Sequence, residues 1–161
     1  MKSLWLKVLP LLICLLLAAG CGSAVKLSNV LVDIIEYHPT TSDTQAKLTL
    51  RFTNENVFPI AIAGTTSKLY LNGTYVGKIE SSDPVGMPQL SATNRNVVLT
   101  IENTALIQQL RSTASTPSIS YRLESTMRMQ ASEEKMKIRN VSNGQINAAS
   151  LRAEPAITPK S

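Results

Sequence analysis

The residues able to make or break bonds are few. His38 is the only histidine, so no pair of imidazoles can hold a metal, and a zinc site would need Asp or Glu partners that no spacing supplies. His38 with Asp33 or Asp43 and one of the many serines could be drawn as a Ser-His-Asp triad. The Gly-x-Ser-x-Gly turn that presents such a nucleophile is absent, however. His38 precedes Pro39 and reads as a loop residue. Asp83-Pro84 fits a proline turn and Glu133-Glu134 a solvated loop, so neither pair suggests the facing carboxylates of acid-base catalysis. No glycine-rich phosphate loop occurs. The expectation is a protein that is not an enzyme, with no catalytic residue, no metal, no cofactor and no evident small-molecule substrate.

One residue carries a definite chemistry. Leu17-Ala18-Ala19-Gly20-Cys21 ends a segment that opens with Lys2 and Lys7 and runs apolar from Val8 to Leu17. It resembles a bacterial lipobox, in which the cysteine after the cleavage point receives lipid. About ten apolar residues, broken by Pro10, fall short of the roughly 20 a membrane-spanning helix needs. Residues 1–20 are therefore expected to be a lipoprotein signal peptide and Cys21 the anchor to a membrane. Gly22 stands where Asp is associated with inner-membrane retention, so the resemblance to Gram-negative lipoproteins implies the cell envelope, specifically the outer membrane facing the periplasm.

Cleavage before Cys21 would remove 20 of 161 residues and leave 141, enough for one domain with a real core. Cys14 would leave with the signal, so neither a disulfide nor a thiolate metal site remains and packing must supply the stability. Removing Lys2 and Lys7 from the 16 basic residues leaves 14 against 11 acidic, a net charge of +3. With four Tyr, two Phe and no dense basic cluster, nucleic acid is not an expected partner.

The elements read mainly as strands. Ala46, Leu48, Leu50 and Phe52 alternate with Lys47, Thr49, Arg51 and Thr53, as do Ile119, Tyr121, Leu123, Met127 and Met129 with polar neighbours, Ser125 being the one polar residue of the inner set. Val97, Leu99 and Ile101 form another inward set, and Met136 with Ile138 a further one. Residues 25–37 are strand-like, with a parity change near Val30 that suggests a bulge or burial on both faces. Asn72-Gly73 supplies the positive φ angles of a type I′ hairpin turn. One short helix is expected over about 104–111, capped by Asn103 or Thr104, with Leu106, Ile107 and Leu110 on one face and Arg111 at its C-terminal end. The organisation expected is an anchor linker over 21–24, a folded domain over 25–141 and a flexible tail over 142–161. About seven strands and one helix predict an all-β, immunoglobulin or fibronectin type III-like antiparallel sandwich. Gly22, Ser23 and Ala24 alone would separate the lipid from the first strand, a reach of about 10 Å.

The run Leu48 to Ile60 resembles the signature of the water-stress and hypersensitive-response (WHy) domain of group 2 late-embryogenesis-abundant (LEA14-like) proteins: an alternating strand, then Asn-Pro-Asn, an aromatic residue and Pro-Ile or Pro-Leu. Asn54, Asn56, Phe58, Pro59 and Ile60 match, and Glu55 replaces the proline. The hairpin, the run 97–101, the short helix and Tyr121-Arg-Leu follow in order, so the resemblance spans roughly 25–139. It implies a sandwich with one helix and a role in desiccation tolerance, protecting client proteins or membrane without catalysis. The residues themselves assign Asn54 and Asn56 a structural task, since Asn side chains bond nearby backbone and shape corners. Arg122, Arg128, Lys135, Lys137 and Arg139 share the outward parity of the last strands. They could touch anionic head groups, or simply keep a sheet edge soluble. The competing functional expectation is a sandwich that binds an envelope protein or complex through an edge.

Overall fold

The computed structural model describes residues 30–112, 117–129 and 136–152. The expected signal peptide (1–20), Cys21, the expected linker over 21–24, residues 25–29, Glu133, Glu134 and Lys135 lie outside them. Among the described residues eight strands form: β1 (Val30–Pro39), β2 (Gln45–Asn54), β3 (Ile60–Leu71), β4 (Thr74–Ser81), β5 (Val85–Met87), β6 (Ser91–Ile101), β7 (Ser118–Met129) and β8 (Lys137–Asn147). Two helices accompany them among the described residues, α1 (Thr104–Ser112) and the single-turn α2 (Ala148–Arg152).

All ladders are antiparallel, in the order β1-β2-β6-β4-β3-β7-β8, with β5 on the first residues of β3. The pairing therefore draws one sheet, curled until β8 returns to β1, in place of the two separate sheets of the expected sandwich. The result is a nearly closed barrel with two weak lines. β4 and β6 pair over only three residues, Gly77 to Ile79 against Leu99 to Ile101. β1 and β8 share no ladder; Val32 is instead bonded to the side chains of Asn140 and Ser142.

Alternation explains the strands because each buries one face. Leu48, Leu50 and Phe52 of β2, Leu69 and Leu71 of β3, Leu99 of β6 and Leu123 and Met127 of β7 are all essentially buried. Burying such a side chain contributes roughly 1.5–3 kcal/mol. Ser125 does point inward, and it is satisfied there by Ser67, Oγ to Oγ at 2.8 Å. Asn72 and Gly73 have φ of 47° and 80°, so the two-residue turn joins β3 to β4 as the dipeptide requires. Asn103 caps α1 by accepting the Leu106 N–H at 3.1 Å, and Ile107 is buried beneath it.

Several expectations need correction. β1 carries a bulge between Ile34 and Glu36, where Val30, Val32 and Ile34 face inward and after Ile35 the inward residue is Tyr37, whereas the expected parity change near Val30 involves residues 25–29, outside the described part. His38 is an exposed residue of that strand rather than of a loop. Met136 precedes β8 and is exposed. The tail reading fails over 142–152, because Ser142 to Asn147 complete β8 against β7, and α2 then buries Ala148 and Leu151. Residues 153–161 lie outside the described part.

Candidate functional site

Three regions gather the polar side chains singled out above. Strands β1, β3, β6 and β8 start at one end, where β2, β4, β5 and β7 finish. The other end carries the Asn72-Gly73 turn and both helices.

The first end is organised by Asn54. Its side chain is fully buried, with Nδ2 donating to the carbonyls of Phe58 at 2.9 Å, Pro88 at 3.0 Å and Met87 at 3.3 Å. Its Oδ1 accepts the Asn56 N–H and the Asn56 Nδ2, each at 2.9 Å. A single amide thus ties the 54–60 loop to the strand end at 87–88. The Leu90 N–H adds a bond to the Asn56 carbonyl at 3.0 Å. Leu90 takes a φ of 47°, a left-handed geometry that costs an L residue about 1 kcal/mol. Its side chain is 67% exposed and that of Val57 74% exposed, so the corner displays two apolar residues. Sequence reading found Asn54 and Asn56 but missed Leu90. Nothing in Pro-Gln-Leu-Ser announces a positive φ at leucine.

Arg122, Arg128, Lys137 and Arg139 share the outer face of β7 and β8 as their parity demands, without forming one patch. Arg128 stands directly across from Lys137, and Thr126 across from Arg139. Arg122, further along, is engaged twice: it bonds Glu124 at 3.0 Å and lies over the Tyr70 ring, 4.4 Å from its centre. Lys68 pairs across from Glu124, and Lys78 bonds Glu80 at 3.2 Å. Arg128, Lys137 and Arg139 therefore concentrate at the Asn54 end.

The third region is the β1/β8 seam. Val32 donates its N–H to Asn140 Oδ1 at 3.2 Å and accepts the Ser142 hydroxyl at 2.6 Å, and Ile34 donates to the Tyr121 hydroxyl at 3.2 Å. These side chains satisfy an edge that no strand covers. Burial pushes the Tyr121 phenol up. Beyond them the seam opens into a cavity of about 200 Å³, walled by Ile34, Ile35, Tyr37 and Ile146 and rimmed by Glu36, His38, Gln145 and Ser150. Tyr37 is buried with its hydroxyl unpaired, and desolvation raises its pKa, partly offset by Arg111. On the exposed rim, a bond from Thr49 lowers the Glu36 carboxyl. Among the described residues no group of three or more His, Cys, Asp and Glu comes together to hold a metal, and no helix is long and apolar enough to cross a membrane.

A curled antiparallel sheet with a buried Asn corner defines a small all-β domain. The late embryogenesis abundant protein family model, LEA_2, matches residues 49–138, more than half of the chain, and the protein belongs to that family. Among solved structures, a solution structure from Arabidopsis thaliana is similar with 17% identity over 84% of this chain and 91% of that one, at a TM-score of 0.56. A late embryogenesis abundant (LEA) protein is similar with 11% identity over 88% and 83%, at 0.49, and an Archaeoglobus fulgidus protein with 18% over 76% and 97%, at 0.46. No curated protein matches the chain. The family supports a stress- or desiccation-associated LEA-type protein, in a group that is generally not enzymatic.

Proposed function

We propose that this is a lipid-anchored envelope protein of the WHy type that protects neighbouring proteins or the membrane as water is lost, without catalysing a reaction. Family membership over residues 49–138, a stretch that contains the Asn54-Asn56 corner, is the observation that carries the reading. The lipobox-like Leu17 to Cys21 supplies the anchor, and with Gly22 it favours the outer membrane facing the periplasm. A barrel with charged and hydroxyl-rich outer faces suits a protein that must stay folded and dispersed beside drying surfaces.

The Cys21→Ser chain tests both halves. It should leave the membrane fraction while remaining folded, and in solution it should preserve a labile enzyme through drying better than an equal mass of an unrelated β-domain. Equal preservation by the unrelated domain would remove the protective role. Retention on membranes would mean that the basic face or an uncleaved signal holds the chain, and retention of a chain cut back to residues 21–161 with Cys21→Ser would remove Cys21 as the anchor. The cavity along the β1/β8 seam favours a second reading, in which the domain docks one envelope protein through that edge. Crosslinking in intact cells separates them, since one dominant partner supports docking and a diffuse set supports general protection.

A further inference from the structure

The end of the barrel where the chain enters carries an unusual combination. Val30, the first residue of β1, pairs directly with Asn54. The chain leading back to Cys21 therefore joins the barrel beside the corner that displays Val57 and Leu90. From Cys21 to Val30 there are nine residues, a span of about 30 Å at most, so a lipid on Cys21 would keep this end nearest the bilayer. Among the described residues Val57 and Leu90 are the two most exposed of the large apolar residues, and both sit in loops that the Asn54 amide and the Leu90–Asn56 bond hold together. Met136, also exposed, precedes β8 at the same end. Arg128 and Lys137, paired across β7 and β8, lie toward the same end, where they line a groove with Glu80, and Glu55 and Asp83 are the other acidic residues of these loops. Apolar tips with cations toward the same end suit the interface of an anionic bilayer, where the one enters the head-group region and the others meet its charge.

We infer that this end of the barrel is a membrane-contact tip, with Val57 and Leu90 inserting into the interface of an anionic phospholipid bilayer while Arg128 and Lys137 meet its head groups. The orientation rests on the anchoring reading above and differs from a side-on approach of the β7-β8 face. The strained leucine gains a purpose: its backbone geometry turns an apolar side chain outward where glycine would have been easier.

Trp5, the only tryptophan, lies within residues 1–20, which cleavage before Cys21 would remove, and with Trp5→Phe in any uncleaved chain a single tryptophan can be placed at will. Val57→Trp, Leu90→Trp and, as a control at the far end, Val98→Trp would each be floated with phosphatidylcholine–phosphatidylglycerol vesicles carrying brominated acyl chains. At positions 57 and 90 we expect a blue shift and loss of emission, with neither at 98, and weaker quenching in vesicles of phosphatidylcholine alone. Unquenched emission at 57 and 90 on floated vesicles overturns the inference, as does equal quenching at 98. A blue shift without vesicles that grows with protein concentration also overturns it, by making the tip a contact between copies. Floating Cys21→Ser alongside separates the two ideas: equal flotation with quenched tips removes only the anchor, flotation with unquenched tips removes only the tip, and no flotation of either chain removes both.

Discussion

The two ends of the barrel are finished by opposite means. At the helical end, α1 and α2 bury Ile107, Ala148 and Leu151 against the strands, and Arg111 joins them by donating to the Leu151 carbonyl at 3.1 Å and pairing with Asp43 at 3.0 Å. At the entry end, Val30, Ile60 and Met87 are buried, but one buried amide and a set of backbone bonds close the loops, and two apolar side chains on them, Val57 and Leu90, point into solvent. Apolar burial is cheap to maintain and tolerant of small change, whereas a polar clamp works only if every partner is present. The difference places the fold's plain stability at the helical end and leaves the entry end free to show a fixed apolar surface.

Removing residues 142–161 should have the largest effect, since it deletes half of β8 and the buried Ile146, Ala148 and Leu151. The loss, about 5 kcal/mol or more, matches the whole stability of a small domain, so the truncated chain should lack a cooperative thermal transition by circular dichroism. A folded truncation would show that the helical end does not carry stability. Next, Asn54→Ala and Ile107→Ala should each cost about 3 kcal/mol in denaturant unfolding, for different reasons. Ile107→Val should recover most of its loss, whereas Asn54→Leu should recover none, because the stranded carbonyls of Phe58, Met87 and Pro88 remain.

Tyr37→Phe removes a buried hydroxyl that lacks a partner and should stabilise by about 1 kcal/mol. The same change bears on alkaline stability. Burial raises the Tyr37 and Tyr121 pKa values, so above pH ~10 the unfolded chain releases protons that the folded chain keeps. Stability is thus complete below that pH and falls as pH rises through the folded values, and Tyr37→Phe should make the fall shallower. The smallest effect concerns Leu90. Leu90→Asn, which accepts the left-handed geometry, should gain roughly 0.5 kcal/mol while weakening bilayer contact, a combination that ordinary core substitutions would not give.

Much of this was legible in the sequence because the relevant forces are local. Period-two patterns marked β2 and β7, Asn72-Gly73 marked its turn, and Asn54 and Asn56 stood out as corner residues. The C-terminal half of β8 was hidden for a physical reason. Asn140 and Ser142 break the apolar rhythm since they bond the backbone of β1 across the seam, a partner more than 100 residues away that no local pattern announces. The curl of one sheet into a barrel was equally hidden, as alternation tells which face is buried and not which strand lies beside which. The entry-end surface emerges only once Val30 pairs with Asn54 and Leu90 reaches Asn56.

Hydrogen exchange of the full chain, with and without anionic vesicles, tests the end-on account most directly. The account predicts that vesicles slow exchange in 54–58 and 88–91 and leave the Asn72-Gly73 turn and α1 unchanged. Slowing confined to the helical end, or spread evenly over the outer face of β7 and β8 with the entry loops unaffected, would contradict it.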